Sequence, residues 1–110
     1  MKRENRVLKH QEFDAIIQST PNVRSQHYVI HYRQNVANKA RIGISVSKRN
    51  GDAVTRNRIK RQIRAMIADG YDLHQSFDII IIVRSSYNPE QFHEEETELF
   101  SSLSKIGEQH

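Results

Sequence analysis

A chain of 110 residues holds one modest hydrophobic core, burying about two thirds of the surface that its extended form exposes. It has no cysteine, which excludes disulfide staples and cysteine-based zinc sites and suits a reducing cytosol. The net charge of +4 is sorted along the chain: nine Lys or Arg stand between Lys39 and Arg64 against one acid, Asp52, whereas "PEQFHEEETE" carries five Glu and no cation, an asymmetry that attracts a polyanion.

The opening "MKRENRVLKHQEF" lacks the apolar centre of a signal peptide, and no apolar run approaches the length of about 20 residues that spans a membrane. The expectation is a soluble cytoplasmic protein, one domain over 1–110, with no membrane partner. Phe13, Ile16 and Ile17 recur at helical spacing and predict a first helix from about Lys9 to Ser19, stopped by Pro21. "HYVIHYR", His27 to Arg33, is aromatic and β-branched and predicts a strand, with Tyr28 and Tyr32 facing away from His31. In "RIGISVS" Ile42, Ile44 and Val46 alternate with Gly43, Ser45 and Ser47, a strand whose small, polar face could receive a ligand closely.

From Asp52 to about Ala68 the period becomes helical. Ile59, Ile63, Met66 and Ile67 form one stripe, Asn57, Lys60, Arg61 and Arg64 fall opposite, and Asn50, Gly51 and Asp52 supply turn and cap chemistry. "DIIIIVR", Asp78 to Arg84, predicts a central strand covered on both sides. A last helix is predicted to start with Asn88 as cap and Pro89 at its first position, to bury Phe92, Leu99, Leu103 and Ile106, and to end at Gly107. The fold class is α+β, a single-domain α/β sandwich of order αββαβα with room for one more short strand.

The basic helix invites a nucleic acid for three reasons. Its cations are mostly arginine, whose planar fork binds phosphate twice while stacking on a base. Few acids lie four residues away to neutralise them. Asn57 among them can donate to phosphate and accept from a 2′-hydroxyl.

"RIGISVSKRNGDAVTRNRIKRQIR" resembles the signature of the bacterial ribonuclease P protein subunit, densely over Arg41 to Arg64 and in element order from about Arg6 to Ile106. The family's Arg-Asn-Arg motif maps onto Arg56, Asn57 and Arg58, followed by Lys60, Arg61 and Arg64, with Lys48 ahead of the turn. The resemblance implies that these residues dock on the catalytic RNA, and that the fold contains a left-handed βαβ crossover against the usual preference. It implies precursor tRNA as second partner, its single-stranded 5′ leader lying between the first helix and one sheet face. Phe13, Ile17 and His31 match leader positions, His31 where the family commonly has tyrosine, with Lys48 serving either surface and Arg6 and Lys9 extending the track. Phe13 read without the resemblance is ordinary core. Mg²⁺ held mainly by the RNA subunit, the catalytic RNA itself as cofactor, no catalytic residue in the protein and no DNA partner complete the implied picture of an endonuclease that matures the 5′ end of tRNA.

Other chemistries leave weaker traces. His27 and His31, four apart on a strand, stand about 13 Å apart and cannot share one zinc, and His10, His74, His93 and His110 add no ligand spacing, so no metal site is predicted. Glu94, Glu95, Glu96 and Glu98 are read as a solvated helix face, although a metal-dependent nuclease would use them. A structural, ribosome-associated RNA-binding protein would use the same basic helix.

Overall fold

The computed structural model describes residues 5, 6, 9–19 and 21–106, so Gly107 and His110, named above, lie outside the described residues. Helix α1 spans His10–Ser19. Three strands follow, β1 at Asn22–Arg24, β2 at Tyr28–Gln34 and β3 at Arg41–Val46. A 3-10 turn at Lys48–Asn50 leads into α2, Ala53–Gly70, then β4, Phe77–Val83, and α3, Phe92–Leu103. This is the mixed α+β order expected, with β1 as the additional short strand.

The sheet has the order β1-β2-β4-β3. β4 runs antiparallel to β2 and parallel to β3, so α2 is the crossover of a βαβ unit. Both faces of β4 are covered, and Ile79, Ile80 and Ile81 are all fully buried, which is why its sequence is continuously apolar. On one face Ile79 and Ile81 join Tyr28, Ile30, Tyr32, Ile42 and Val46 under the α2 stripe of Ile59, Ile63, Met66 and Ile67 and under Leu99, Leu103 and Ile106. On the other face Ile80 meets Ile16 of α1, flanked by Phe13, Ile17 and Ile82. Tyr28 and Tyr32 therefore do face away from His31, which is paired with Ile80.

Several boundaries differ from the sequence reading: β4 lies one residue earlier than Asp78–Arg84, α2 runs on to Gly70, and α3 ends at Leu103 with Ser104 as its cap residue, short of the predicted Gly107. His27 belongs to the bend before β2 rather than to the strand, and α3 begins at Phe92 with Gln91 as its cap residue. Asn88 closes a preceding turn: its Oδ1 accepts from Glu90 N and its carbonyl accepts from Gln91 N. Its own N–H is taken by Glu95. The capping chemistry is present but is spent on the turn, so the helix starts three residues beyond Pro89. The glutamate segment is not a uniformly solvated face either, because Glu95 is 1% exposed and only partial exposure remains to Glu98.

Candidate nucleic-acid interface

Gly51 turns the chain into α2 with φ +131°, a conformation that a side chain would strain. Asp52 then caps the helix, its carboxylate accepting from Thr55 N at 2.8 Å. That hydrogen bond holds its carboxyl below the usual range. With the apolar stripe committed to the core, the remaining positions divide by helical geometry into three strips.

Asn57, Arg61 and Arg64 form an exposed crest. Arg56 and Lys60, one flank, are partly buried. Arg58, exposed on the opposite flank, is held by Glu90 of the β4–α3 loop at 2.8 Å, which raises the guanidinium's pKa and lowers that of the Glu90 carboxyl. Gln62 below it donates to Pro89 O at 3.0 Å and accepts from Tyr87 at 2.6 Å. The sequence reading found few acids within the helix, and that is so, but it missed an acid 32 residues away that neutralises one member of the ridge. Among the described residues no carboxylate forms an ion pair with Arg56, Lys60, Arg61 or Arg64. Lys48 is exposed on the 3-10 turn at the foot of this ridge.

The second surface lies around the outer edge of β3. Asn22, His31, Ile80 and Gly43 form one row across the sheet by strand register, and α1 lies above it. Phe13 rests directly on Gly43: a Cβ there would come within 2.5 Å of Phe13 Cε2 and 2.7 Å of Ile80 Cδ1. The close approach predicted for the small face of β3 is thus made by the protein's own phenylalanine. Phe13 is only partly buried, and it lines a cavity of about 280 Å³ with His10, Ile44, Ser45, Val46 and Lys60. Lys60, assigned from sequence to the ridge, therefore reaches the cleft as well.

Ile17 is partly buried beside the Ile16–Ile80 contact. His31 is 9% exposed and its Nδ1 has no hydrogen-bond partner; so little exposed ring leaves scant face for stacking. Lys9 is exposed, and Arg6, also exposed, forms a parallel bridge to Ile42 at the β3 edge. α1 is tied to the sheet by Glu12, which pairs with Arg41 at 2.7 Å, and Arg41 in turn pairs with the buried Asp78 at 2.8 Å.

The ribonuclease P family model matches residues 1–107. The chain is 42% identical over 101 residues to the ribonuclease P protein component of Mesoplasma florum, covering 90% of this chain and 92% of that one. It is 33% identical over 107 residues to that of Clostridium botulinum, covering 96% of each. The solved structure of the RNase P protein from Thermotoga maritima superposes with a TM-score of 0.82 at 25% identity, over 92% of this chain and 96% of that one. An uncompensated basic crest beside a half-open aromatic cleft, on this fold and with these relatives, leads to one assignment: the chain belongs to the ribonuclease P protein family.

Proposed function

We propose that this protein, as the RNA-associated component of ribonuclease P, grips the catalytic RNA with the α2 ridge and receives the 5′ leader of precursor tRNA in the cleft at the β3 edge. The observation that carries this reading is the crest of Asn57, Arg61 and Arg64, exposed and without a carboxylate partner among the described residues. A run of like charge on one helix face repels itself until an anion screens it, and RNA phosphate does so with release of condensed counterions. Arg56, Lys48 and Arg58 extend the grip, Arg58 at reduced strength because Glu90 competes for it.

Lys60 lines the cleft and joins the two surfaces, placing a cation where a leader phosphate would pass from the cleft to the ridge. Phe13 supplies an aromatic surface for an unstacked base; Ile17 and His31 share its side of the sheet but lie outside the residues that line the cleft, so their part in leader binding is the smaller.

The hydrolytic step is assigned to the RNA. The carboxylates beside these surfaces are engaged: Asp52 caps α2, Glu90 holds Arg58 and Glu12 holds Arg41. Among the described residues the ridge and cleft thus offer no unengaged carboxylate set for magnesium, which supports a reading in which RNA phosphates would hold the Mg²⁺ of the reaction and the protein contributes binding and orientation. The test is reconstitution. Protein stripped of RNA should leave precursor tRNA intact in Mg²⁺, and addition of the cognate catalytic RNA should confer cleavage at the 5′ end of the mature tRNA. Site-specific cleavage by the RNA-free protein would falsify the assignment of chemistry to the RNA and favour a protein nuclease. Selective binding to ribosomal particles instead would favour the structural RNA-binding alternative.

A further inference from the structure

The bend Ser25–His27 lies against one face of α3, where Glu95 and Glu98, three residues apart, converge on the same imidazole. His27 Nδ1 is 2.7 Å from Glu98 Oε1 and 2.9 Å from Glu95 Oε1. One ligand atom from each of the three residues fits within a cluster 4.8 Å across. The outer oxygens are already fixed: Glu95 Oε2 accepts from Asn88 N at 2.7 Å, and Glu98 Oε2 accepts from Ser25 Oγ at 2.6 Å and from His27 N at 2.7 Å. Each carboxylate is thereby oriented, with its second oxygen aimed at the ring nitrogen.

That nitrogen cannot serve both. An imidazole Nδ1 carries one hydrogen at most, and its good bond goes to Glu98, leaving Glu95 Oε1 without a hydrogen-bond partner on a side chain 1% exposed. Charge leads to the same conclusion. Two carboxylates with an imidazolium between them retain one negative charge in a poorly solvated place, whereas two carboxylates and a neutral imidazole around a divalent cation retain none, and burial penalises the former. A partly exposed edge, with His27 at 17% and Glu98 at 21%, gives a cation a way in.

We propose that His27, Glu95 and Glu98 form a binding site for a divalent cation of the zinc type, joining the β1–β2 bend to α3. One imidazole with two carboxylates suits zinc, whereas magnesium and calcium prefer oxygen alone. On binding, the Nδ1 proton leaves to solvent and the metal takes its place. Ligand atoms around a tetrahedral zinc stand about 3.3 Å apart for bonds of about 2.0–2.1 Å, so the side chains need to open by about half an ångström. This site lies apart from the magnesium assigned to the RNA and does not depend on that assignment.

The experiment is a zinc titration of the full chain, free of RNA and of any affinity tag and stripped with chelator, followed by calorimetry and by the imidazole signals in nuclear magnetic resonance. One equivalent should bind, the His27 ring signals should shift, and the melting temperature should rise with zinc. Affinity should fall at least about tenfold in His27→Gln and in Glu98→Gln. It should be kept in His10→Gln and His74→Gln, which remove the exposed histidines paired with Asp14 and Asp72. No binding up to millimolar zinc, or shifts confined to other histidines in the parent protein, would overturn the site and leave a metal-free hydrogen-bonded clamp. The ring signals of the parent decide the matter even if a variant fails to fold.

Discussion

Gly43 is a vacancy that Phe13 fills. Because the ring lies on the backbone of β3 and also borders the cleft, Phe13→Ala should act on two quantities at once. Its partly buried position makes the stability cost about 1–2 kcal/mol, short of the 3–5 kcal/mol of a fully buried phenylalanine. Loss of a stacking surface should weaken precursor tRNA by about 1–3 kcal/mol while mature tRNA is unchanged. Comparing the two affinities with the melting temperature separates these effects, and a large thermal loss with unaltered leader discrimination would return Phe13 to the core alone. Gly43→Ala should reproduce the leader defect, since the added methyl evicts the ring.

Asp78 is the other residue on which much depends. Its carboxylate, 1% exposed, accepts from Arg33 Nε, Asn35 Nδ2 and both Nε and a terminal nitrogen of Arg41. Burial alone would raise its pKa, but the hydrogen bonds from Arg41, Asn35 and Arg33 outweigh burial and hold it below the ordinary carboxylate range. The unfolded chain therefore takes up the proton first as pH falls. The stabilisation is complete above the unfolded value of about 3.9 and is lost as pH drops through the lower folded value. Urea unfolding between pH 5 and pH 3 should show the parent losing stability more steeply than Asp78→Asn. At pH 7 that variant should be weaker by about 1.5–3 kcal/mol, because the charge-assisted hydrogen bonds to Asp78 are lost while Arg41 keeps Glu12 and Arg33 keeps its contact with solvent.

At the scale of the element, α2 divides its work among strips, and the crest and the Arg58 flank make different predictions. Arg61→Ala and Arg64→Ala should each weaken binding to the catalytic RNA and flatten the log-log salt slope by up to about one unit. Arg58→Ala should cost less, and Glu90→Gln should tighten RNA binding by releasing Arg58 from its carboxylate. Salt titrations of the four variants check the ranking, and equal effects of Arg58→Ala and Arg61→Ala would contradict the pairing. The stripe and crest of α2 were legible in the sequence because a 3.6-residue period is local information. The Arg58–Glu90 pair was not, since periodicity says nothing about what a distant loop brings to a flank. The start of α3 was misread for a related reason: Asn88 has the chemistry of a cap, and only the contact with Glu95 shows that its N–H is already used.

For the whole molecule, layer order and the buried central strand were readable from the isoleucine run, and Tyr28 and Tyr32 were rightly separated from His31 by alternation. The cluster of His27, Glu95 and Glu98 was hidden. Strand spacing relates His27 only to His31, whereas its partners lie about 70 residues on, across the gap between a bend and a helix. The β2–β4 register, together with the packing of α3 over β1 and β2, brings them together.

That register has a consequence for how the chain acquires its shape. β4 pairs with β2 and with β3, and the pairs are distant along the chain: Arg41 reaches Asp78 across 37 residues and Arg33 reaches it across 45. Only the three-residue β1 closes locally, on β2. Loop closure on that scale costs entropy before any contact returns it, so the sheet cannot grow outward from a hairpin. A ribosome must therefore release the chain through Val83 before either central pair can form, and fragments ending before Phe77 should show the circular dichroism of an unordered chain however much of α2 they contain.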